Sequence, residues 1–314
     1  MKALQIKQYG GKDTLELNPN TSKPAAGKGQ VLVEAHAASI NPIDWKLRAG
    51  YMKEMVPLTM PATLGGDVAG VVAVVGESVS GLKVGDRVYG YPSLLAGGSG
   101  SFAEFVVAPV LTLAPAPKKV NFVDAAALPL VGVSALQALE QHINLQRGQT
   151  ILIHGGGGGI GSLAIQIAKA IGAHVMTTAS GEDTAYLQGL GADQVIDYKK
   201  EAFEARVKDV DAVFDTVGGD TTERSFKVLK KGGTLVSMLG EPNSALAKQY
   251  GVTAIGQLTH VTTDLLMRLA QLVDAGTINV RVDTIFPLEK AKEAFEVLEA
   301  GHARGKVVLQ IREG

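Results

Sequence analysis

The sequence predicts an α/β protein of two parts, a doubly wound parallel sheet domain and a second, antiparallel β domain of barrel or sandwich type. Three observations carry this. Residues 150–170, TILIHGGGGGIGSLAIQIAKA, pass from an apolar strand through five glycines into an amphipathic run. The first 115 or so residues are rich in Val, Gly and Pro, in short alternating runs split by turn signals. Finally, 314 residues with 46% hydrophobic content are enough to bury two cores.

Taken in order, MKALQIKQYGG alternates like a strand and lacks the apolar core of a signal peptide. QVLVEAHAAS and VAGVVAVVGESV read as further strands, with GLKVGDRV as a turn between elements. LAPAPKKV, Leu113 to Val120, carries two prolines that do not belong inside regular elements, and is expected to be the crossing between domains. NFVDAAALPLVGVSALQALEQH is helical and alanine-rich, and the strand Ile151–Ile153 follows, ending near His154. QVIDY, DAVFDTVGG and GTLVSML are short apolar strands divided by helical stretches, the texture of a parallel sheet wound with helices. The tail RVDTIFPLEKAKEAFEVLEAGHARGKVVLQI ends in a helix and a strand resembling the first domain. The expected division is therefore residues 1–120, completed by 280–314, around an inserted domain of 121–279.

The glycine tract holds the chemistry. Gly156, Gly158 and Gly161 satisfy G-x-G-x-x-G, in which the first glycine permits a tight turn, the second lets backbone approach a pyrophosphate, and the third lets helix pack on strand. Apolar Ile160, Leu163, Ala164, Ile167 and Ala168 share one helical face, so a helix starts within the tract and the N–H groups near Gly159 and Ile160 face an anion. The alternative is a flexible glycine loop without a ligand. The strand-loop-helix-strand context, closed by Ala173–Ser180, favours a dinucleotide. That second strand ends in Thr177, Thr178, Ala179 and Ser180 with no acidic residue for the ribose hydroxyls, which leaves room for a 2′-phosphate. Gly218, Met238, Leu239 and Gly240 lie in loops after later strands, where an open α/β sheet binds its ligand.

Composition excludes several classes. Thirty basic against 31 acidic residues, with no block of like charge, argue against nucleic acid and anionic membranes. No apolar stretch approaches a membrane span, and a cytoplasmic location is expected. The chain has no cysteine, which removes disulfides and thiolate metal sites, and its six histidines (36, 142, 154, 174, 260 and 302) lack metal-ligand spacing.

Seven further segments extend the reading: ASINPIDWKLRAGY (38–51), LGGDVAGVVAVVG (64–76), GDRVYG (85–90), AALPLVGVSALQAL (126–139), LGADQVIDY (190–198), FDTVGG (214–219) and GKVVL (305–309). With the glycine loop, the chain resembles the zinc-independent quinone oxidoreductase branch of the medium-chain dehydrogenase/reductase superfamily over nearly its whole length. The resemblance implies a GroES-like barrel domain plus a Rossmann domain, with substrate and nicotinamide meeting between them, and dimers formed through the edge of the Rossmann sheet. Asn41 stands where the superfamily's alcohol dehydrogenases put a zinc-binding Cys, and Gly66 where they put a His.

The resemblance also places individual residues. It puts Asn41 at the cleft, as a donor to a carbonyl oxygen or, alternatively, as a cap before Pro42. Asp44 is a proton relay or a turn anchor, and Tyr51 an orienting or proton-donating phenol or a packed rim residue. Trp45 and Lys46 stand where a relative places an aromatic residue; Asp67 is expected to be structural. Ser180 and Tyr198 match contacts to the adenosine phosphate of NADPH, although a nearby lysine is missing from Ser180–Asp183, and Val133 is expected near the nicotinamide. The implied activity is hydride transfer from NADPH, with NADH second, to a quinone or α,β-unsaturated carbonyl acceptor. An enoyl-thioester reductase and an NADPH-binding scaffold of low turnover are the alternatives.

Overall fold

A computed structural model describes residues 1–301 and 303–313, so His302 and Gly314 lie outside the described residues. The chain divides into two units, Met1–Leu130 with Val261–Asp274 and Val280–Gly314, and Val131–His260 with Ala275–Asn279.

In the first unit β1 (Ala3–Ile6) pairs antiparallel with β2 (Leu15–Asn18) and β4 (Ala62–Thr63). The larger sheet is built on β3 (Gln30–Ile40), which pairs antiparallel with β5 (Asp67–Val75) along almost its whole length. β6 (Arg87–Gly90) and β8 (Leu113–Pro115) extend the sheet from β5. On its other side β3 changes partner, Gln30–Glu34 facing β7 (Phe105–Pro109) and Ala37–Ile40 facing β16 (Lys306–Gln310), which in turn pairs with β15 (Val282–Pro287). Irregularities at Leu32/Val33 and Ala35/Ala37 bend β3 enough to serve both. One face buries Val31, Val33, Val68, Val72, Val88 and Val106, the β-branched residues that alternate along these strands. A second cluster joins Ile40, Leu64 and Phe102 to Phe295 of α9 (Ala291–Glu299) and Leu47 of α1 (Pro42–Ala49).

The second unit is a parallel six-stranded sheet in the order β11-β10-β9-β12-β13-β14. Its strands are β9 (Thr150–His154), β10 (His174–Ala179), β11 (Gln194–Asp197), β12 (Val210–Asp215), β13 (Leu229–Ser237) and β14 (Thr253–Gly256). Numbered from β9 this is 3-2-1-4-5-6, the doubly wound order whose ligand crevice opens where the strand order reverses, between β9 and β12. Helices α4 (Gly159–Ile171), α5 (Thr184–Gly189), α6 (Asp220–Ser225) and α7 (Ser244–Tyr250) provide the windings. Ile151, Leu152 and Ile153 are fully buried, as a strand covered on both faces requires.

Three sequence-based boundaries shift. Leu113–Pro115 is not a crossing but an edge strand, a position where proline costs no ladder hydrogen bond. Residues 121–130, with α2 (Phe122–Ala126) and the start of α3 (Pro129–Leu136), fall in the first unit. So does α8 (Thr263–Asp274), because Thr263 donates to the Leu113 carbonyl at 2.9 Å and the Asp274 carboxylate accepts the Lys118 N–H at 2.8 Å.

Candidate active site

The glycine tract follows β9 at the switch point. Gly155 turns the chain at φ +77°, and α4 begins at Gly159 with Gly158 as its cap in extended backbone. A Cβ on Gly156 would fall 2.2 Å from Thr177 Oγ1, and one on Gly161 2.2 Å from the Gly155 carbonyl oxygen. Those two positions require glycine because the loop lies directly on the strand and helix beneath it. Gly158 differs: it is exposed, and a Cβ there meets nothing closer than 3.4 Å. No side chain caps α4, so the N–H groups of Gly159, Ile160 and Gly161 start the helix without a partner inside it. An exposed helix N-terminus with unobstructed backbone fits a pyrophosphate.

The other candidate nucleotide residues collect at the C-terminal ends of neighbouring strands of the sheet. Ala179 pairs with Asp197, so Ser180 and Tyr198 come next on adjacent strands, and the Tyr198 N–H reaches the Ala179 carbonyl at 3.3 Å. The Tyr198 side chain is 62% exposed. Gly218, at φ +84°, has its N–H held by Asp215 Oδ1 at 3.0 Å and lies against Leu239, whose Cβ would be 2.6 Å from an added methyl. Met238 donates its N–H to the Asp215 carbonyl at 2.9 Å, and Gly240 closes that turn at φ +117°.

Thr178 is placed differently from the expectation: it is buried, its hydroxyl 3.0 Å from His154 Nδ1, and presents no side chain at this rim. Val133 is fully buried within the second unit. His154 bridges on to Ser225 Oγ at 3.0 Å, and burial pushes its imidazole down to about 4. The glycine turn is thus underpinned by a buried histidine that joins the ends of β9 and β10 to the end of α6. The sequence also hid two cations. Lys199 and Lys200 follow Tyr198 in the turn after β11, a lysine supply the Ser180–Asp183 segment lacks; Lys200 pairs with Asp197 at 3.4 Å. On the opposite sign, Asp183 Oδ2 would stand 3.1 Å from a Cβ on Gly157.

In the first unit Asn41, at one of the zinc-ligand positions, belongs to a buried polar cluster. Asp67 is fully buried and its carboxylate accepts from Ser39 Oγ at 2.7 Å, Asn41 Nδ2 at 2.8 Å and the Leu130 N–H at 2.9 Å. Lys306 Nζ lies 3.7 Å from Asp67, donates to the Ile40 carbonyl at 3.0 Å and also donates to Asn41 Oδ1. Asn41 is 1% exposed, its carboxamide pinned at both ends. Asp44, three residues into α1, accepts the Asn41 N–H at 2.7 Å and anchors the helix start. Burial raises the carboxyls of Asp44, to about 7, and of Asp67, and lowers the Lys306 ammonium. In so dry a place burial favours the neutral form of each of these three groups, while the carboxyls and the amine oppose that shift in one another.

These residues do not fit zinc. A Cβ on Gly66 would stand 2.1 Å from the Tyr91 ring, so the ring fills the space a ligand side chain would use, and Asn41's oxygen is taken by an ammonium. Among the described residues no three His, Cys, Asp or Glu converge on a metal site. Tyr51 lies apart from the cluster, just past the α1 cap Gly50 at φ +83°; it is 74% exposed and packs edge-on against Trp45 at 5.7 Å between ring centres. Lys46 Nζ lies 5.8 Å from the Trp45 ring centre.

A doubly wound sheet with an open glycine loop at its switch point, in one chain with a separate and mostly antiparallel unit, defines a dinucleotide-dependent oxidoreductase. Residues 27–118 match the alcohol dehydrogenase GroES-like domain and residues 190–309 the zinc-binding dehydrogenase family. The chain is 39% identical to a 2-methylene-furan-3-one reductase of Solanum lycopersicum, covering 98% of this chain and 79% of that one. It is 38% identical to a chloroplastic NADPH-dependent alkenal/one oxidoreductase of Arabidopsis thaliana, over 98% of this chain and 79% of the other. The structure of the quinone oxidoreductase from Coxiella burnetii superposes with a TM-score of 0.92 at 38% identity, covering 99% of each chain. The chain belongs to the zinc-independent quinone oxidoreductase branch of the medium-chain dehydrogenase/reductase superfamily.

Proposed function

We propose that the protein reduces quinones and α,β-unsaturated carbonyl compounds with NADPH and without a metal. The observation that carries the reading is the unobstructed space over exposed Gly158 at the uncapped start of α4. The acceptor class is supported by the names of its relatives, enone-type reductases and a quinone oxidoreductase. NADPH, when bound, supplies the hydride. The chain's part is to hold the pyrophosphate on the α4 N–H groups, to bind the ribose end between Ser180 and Tyr198, and to orient the acceptor. Addition of hydride to a quinone or enone leaves a delocalised anion, which needs less electrophilic help than an alkoxide. Positioning and a few hydrogen-bond donors supply the rest.

Tyr51, with its accessible hydroxyl, is the proposed donor to the oxygen on which charge develops. Asn41 and Asp44 are positioning residues, since their polar atoms are committed to Asp67, Lys306 and each other's backbone. Preference for NADPH over NADH rests on Ser180, Tyr198 and the lysines at 199 and 200, which offer a 2′-phosphate hydroxyls and positive charge. Asp183 opposes it. We also propose a homodimer joined edge to edge through β14, the end strand of its sheet, and a cytoplasmic location. The deciding experiment is steady-state oxidation of NADPH and of NADH with a naphthoquinone, an enone and an enoyl thioester. Turnover of the first two with NADPH is expected; cofactor binding with no acceptor-dependent oxidation would mean a scaffold.

A further inference from the structure

A second recess, of about 510 Å³, lies wholly within the first unit. Its lining includes Gln310, four residues along β16 from Lys306, or roughly 13 Å at the rise of a strand. It therefore uses none of the residues assigned above. The recess forms where β3 changes partner from β7 to β16. At that corner the His36 carbonyl accepts both the Ile311 N–H at 2.8 Å and the Arg312 N–H at 3.1 Å, which fixes the root of the Arg312 side chain. Arg312 Nη1 reaches Glu34 at 3.2 Å. Arg87, at the start of β6, lays its guanidinium over Phe122 with 4.5 Å to the ring centre and donates Nη2 to the Val120 carbonyl at 3.0 Å. His36 stacks on the same ring at 4.3 Å.

The charged side chains lining the recess are both cationic, and of the two Arg312 is already paired with Glu34 beside it. Both guanidinium groups border the recess and no carboxylate does, while Val120, Val123 and Phe122 give it an apolar side. Arg87 commits one of its five N–H donors to Val120 and its flat face to Phe122, so part of the in-plane fork is left for a ligand. A fork held flat before the ligand arrives loses little further freedom on binding and matches the two coplanar oxygens of a carboxylate. The volume lies in the range of small-molecule sites.

We propose that this recess binds a small organic carboxylate, held in plane by Arg87 with Arg312 nearby and its hydrocarbon body against Val120 and Val123. The test is calorimetric titration of the NADPH-saturated protein, in which the glycine loop is already filled, with benzoate, its neutral analogue benzyl alcohol, and inorganic phosphate. One benzoate per chain is expected, at least tenfold tighter than either of the others, with a shift of the His36 imidazole signals in the NMR spectrum. Because Arg87 is exposed, Arg87→Gln should fold normally, weaken benzoate at least tenfold and leave quinone turnover unchanged. Equal affinity for benzyl alcohol would overturn the proposal, as would benzoate binding unaltered by both Arg87→Gln and Arg312→Gln. Phosphate binding as tightly as benzoate would reduce it to a simple anion site and refute the carboxylate assignment.

Discussion

Gly158 and Gly161 look alike in the motif but should fail in opposite ways when given a methyl group. At Gly161 the new Cβ would lie 2.2 Å from the Gly155 oxygen, 2.8 Å from its carbonyl carbon and 2.8 Å from Gly156 Cα. All three are backbone atoms, so the loop itself must move by about 1 Å. Such overpacking costs about 1–3 kcal/mol, of which the better helix propensity of alanine returns about 1 kcal/mol. Gly161→Ala should therefore lower the melting temperature by a few degrees and disorder the turn. At Gly158 the backbone is extended, φ −79° and ψ 171°, and the methyl would meet only the Gly155 oxygen at 3.4 Å. Gly158→Ala should fold almost as well as the wild type, losing at most about 1 kcal/mol at the helix cap. Its methyl would instead stand in the space proposed for the pyrophosphate. Displacing one charge-assisted hydrogen bond costs about 1.5–3 kcal/mol, or about ten- to a hundredfold in affinity. Calorimetry with NADPH and thermal denaturation of both variants separate the two effects. Wild-type NADPH affinity in a well-folded Gly158→Ala protein would refute the phosphate-loop assignment, and an undisturbed Gly161→Ala protein would refute the packing argument.

Other outcomes are expected. Dialysis against a strong chelator should leave quinone turnover intact; stoichiometric zinc whose removal abolishes turnover would overturn the metal-free reading. Asp44, held up at about 7 against an ordinary 3.8, has a folded value above its unfolded one, so the stability it contributes is full at about pH 4 and is lost as pH rises through 7. Asp44→Asn, which keeps an acceptor for the Asn41 N–H, should thus gain melting temperature relative to the wild type between pH 5 and pH 8, and parallel pH curves would exclude a buried proton on Asp44. Replacing Lys199 and Lys200 together by alanine should reduce kcat/KM for NADPH several-fold and leave that for NADH unchanged, whereas Thr178→Asp should destabilise the fold by burying a carboxylate beside His154; equal losses with both cofactors would remove the lysines from the 2′-phosphate site. Tyr51→Phe should slow enones by about ten- to a hundredfold and quinones less, because an enolate concentrates charge on one oxygen, and unchanged kcat with every acceptor would make Tyr51 a packing residue.

The features legible in the sequence were those set by local periodicity and by backbone sterics. The β9-loop-α4 passage declared itself because apolar period, glycine spacing and helical period change within a dozen residues. What stayed hidden depends on residues far apart in the chain. Thr178 sits where a ribose-facing side chain belongs, yet His154, 24 positions earlier, turns its hydroxyl inward. Lys199 and Lys200 read as an ordinary polar turn until β11 is set beside β10. Lys306 opens the apolar strand KVVLQ and looks like an exposed charge at a strand end; only its pairing with β3 brings it to Asn41, 265 positions away. The boundary at Leu113–Pro115 was misplaced for a similar reason, since an edge strand tolerates a proline that a central strand would not.

The buried cluster also argues for the kind of substrate. At the two places where the superfamily's alcohol dehydrogenases hold zinc ligands, this chain has a carboxamide bonded to an ammonium and a glycine beneath a tyrosine ring. The Lys306 Nζ is held in place and already committed to Asp67, Asn41 and a carbonyl, so it cannot take a substrate oxygen into its coordination as a metal does. On the proposed reading an acceptor delocalises most of the charge that hydride delivers, with exposed donors such as Tyr51 proposed to stabilise the remainder. A simple ketone, whose reduction localises a full negative charge on one oxygen, lacks that internal relief, whereas a quinone has it through its ring and an enone through its conjugated carbonyl. The loss of two ligand side chains, together with the ammonium and ring that took their places, thus selects activated double bonds over carbonyl groups as the proposed targets of hydride.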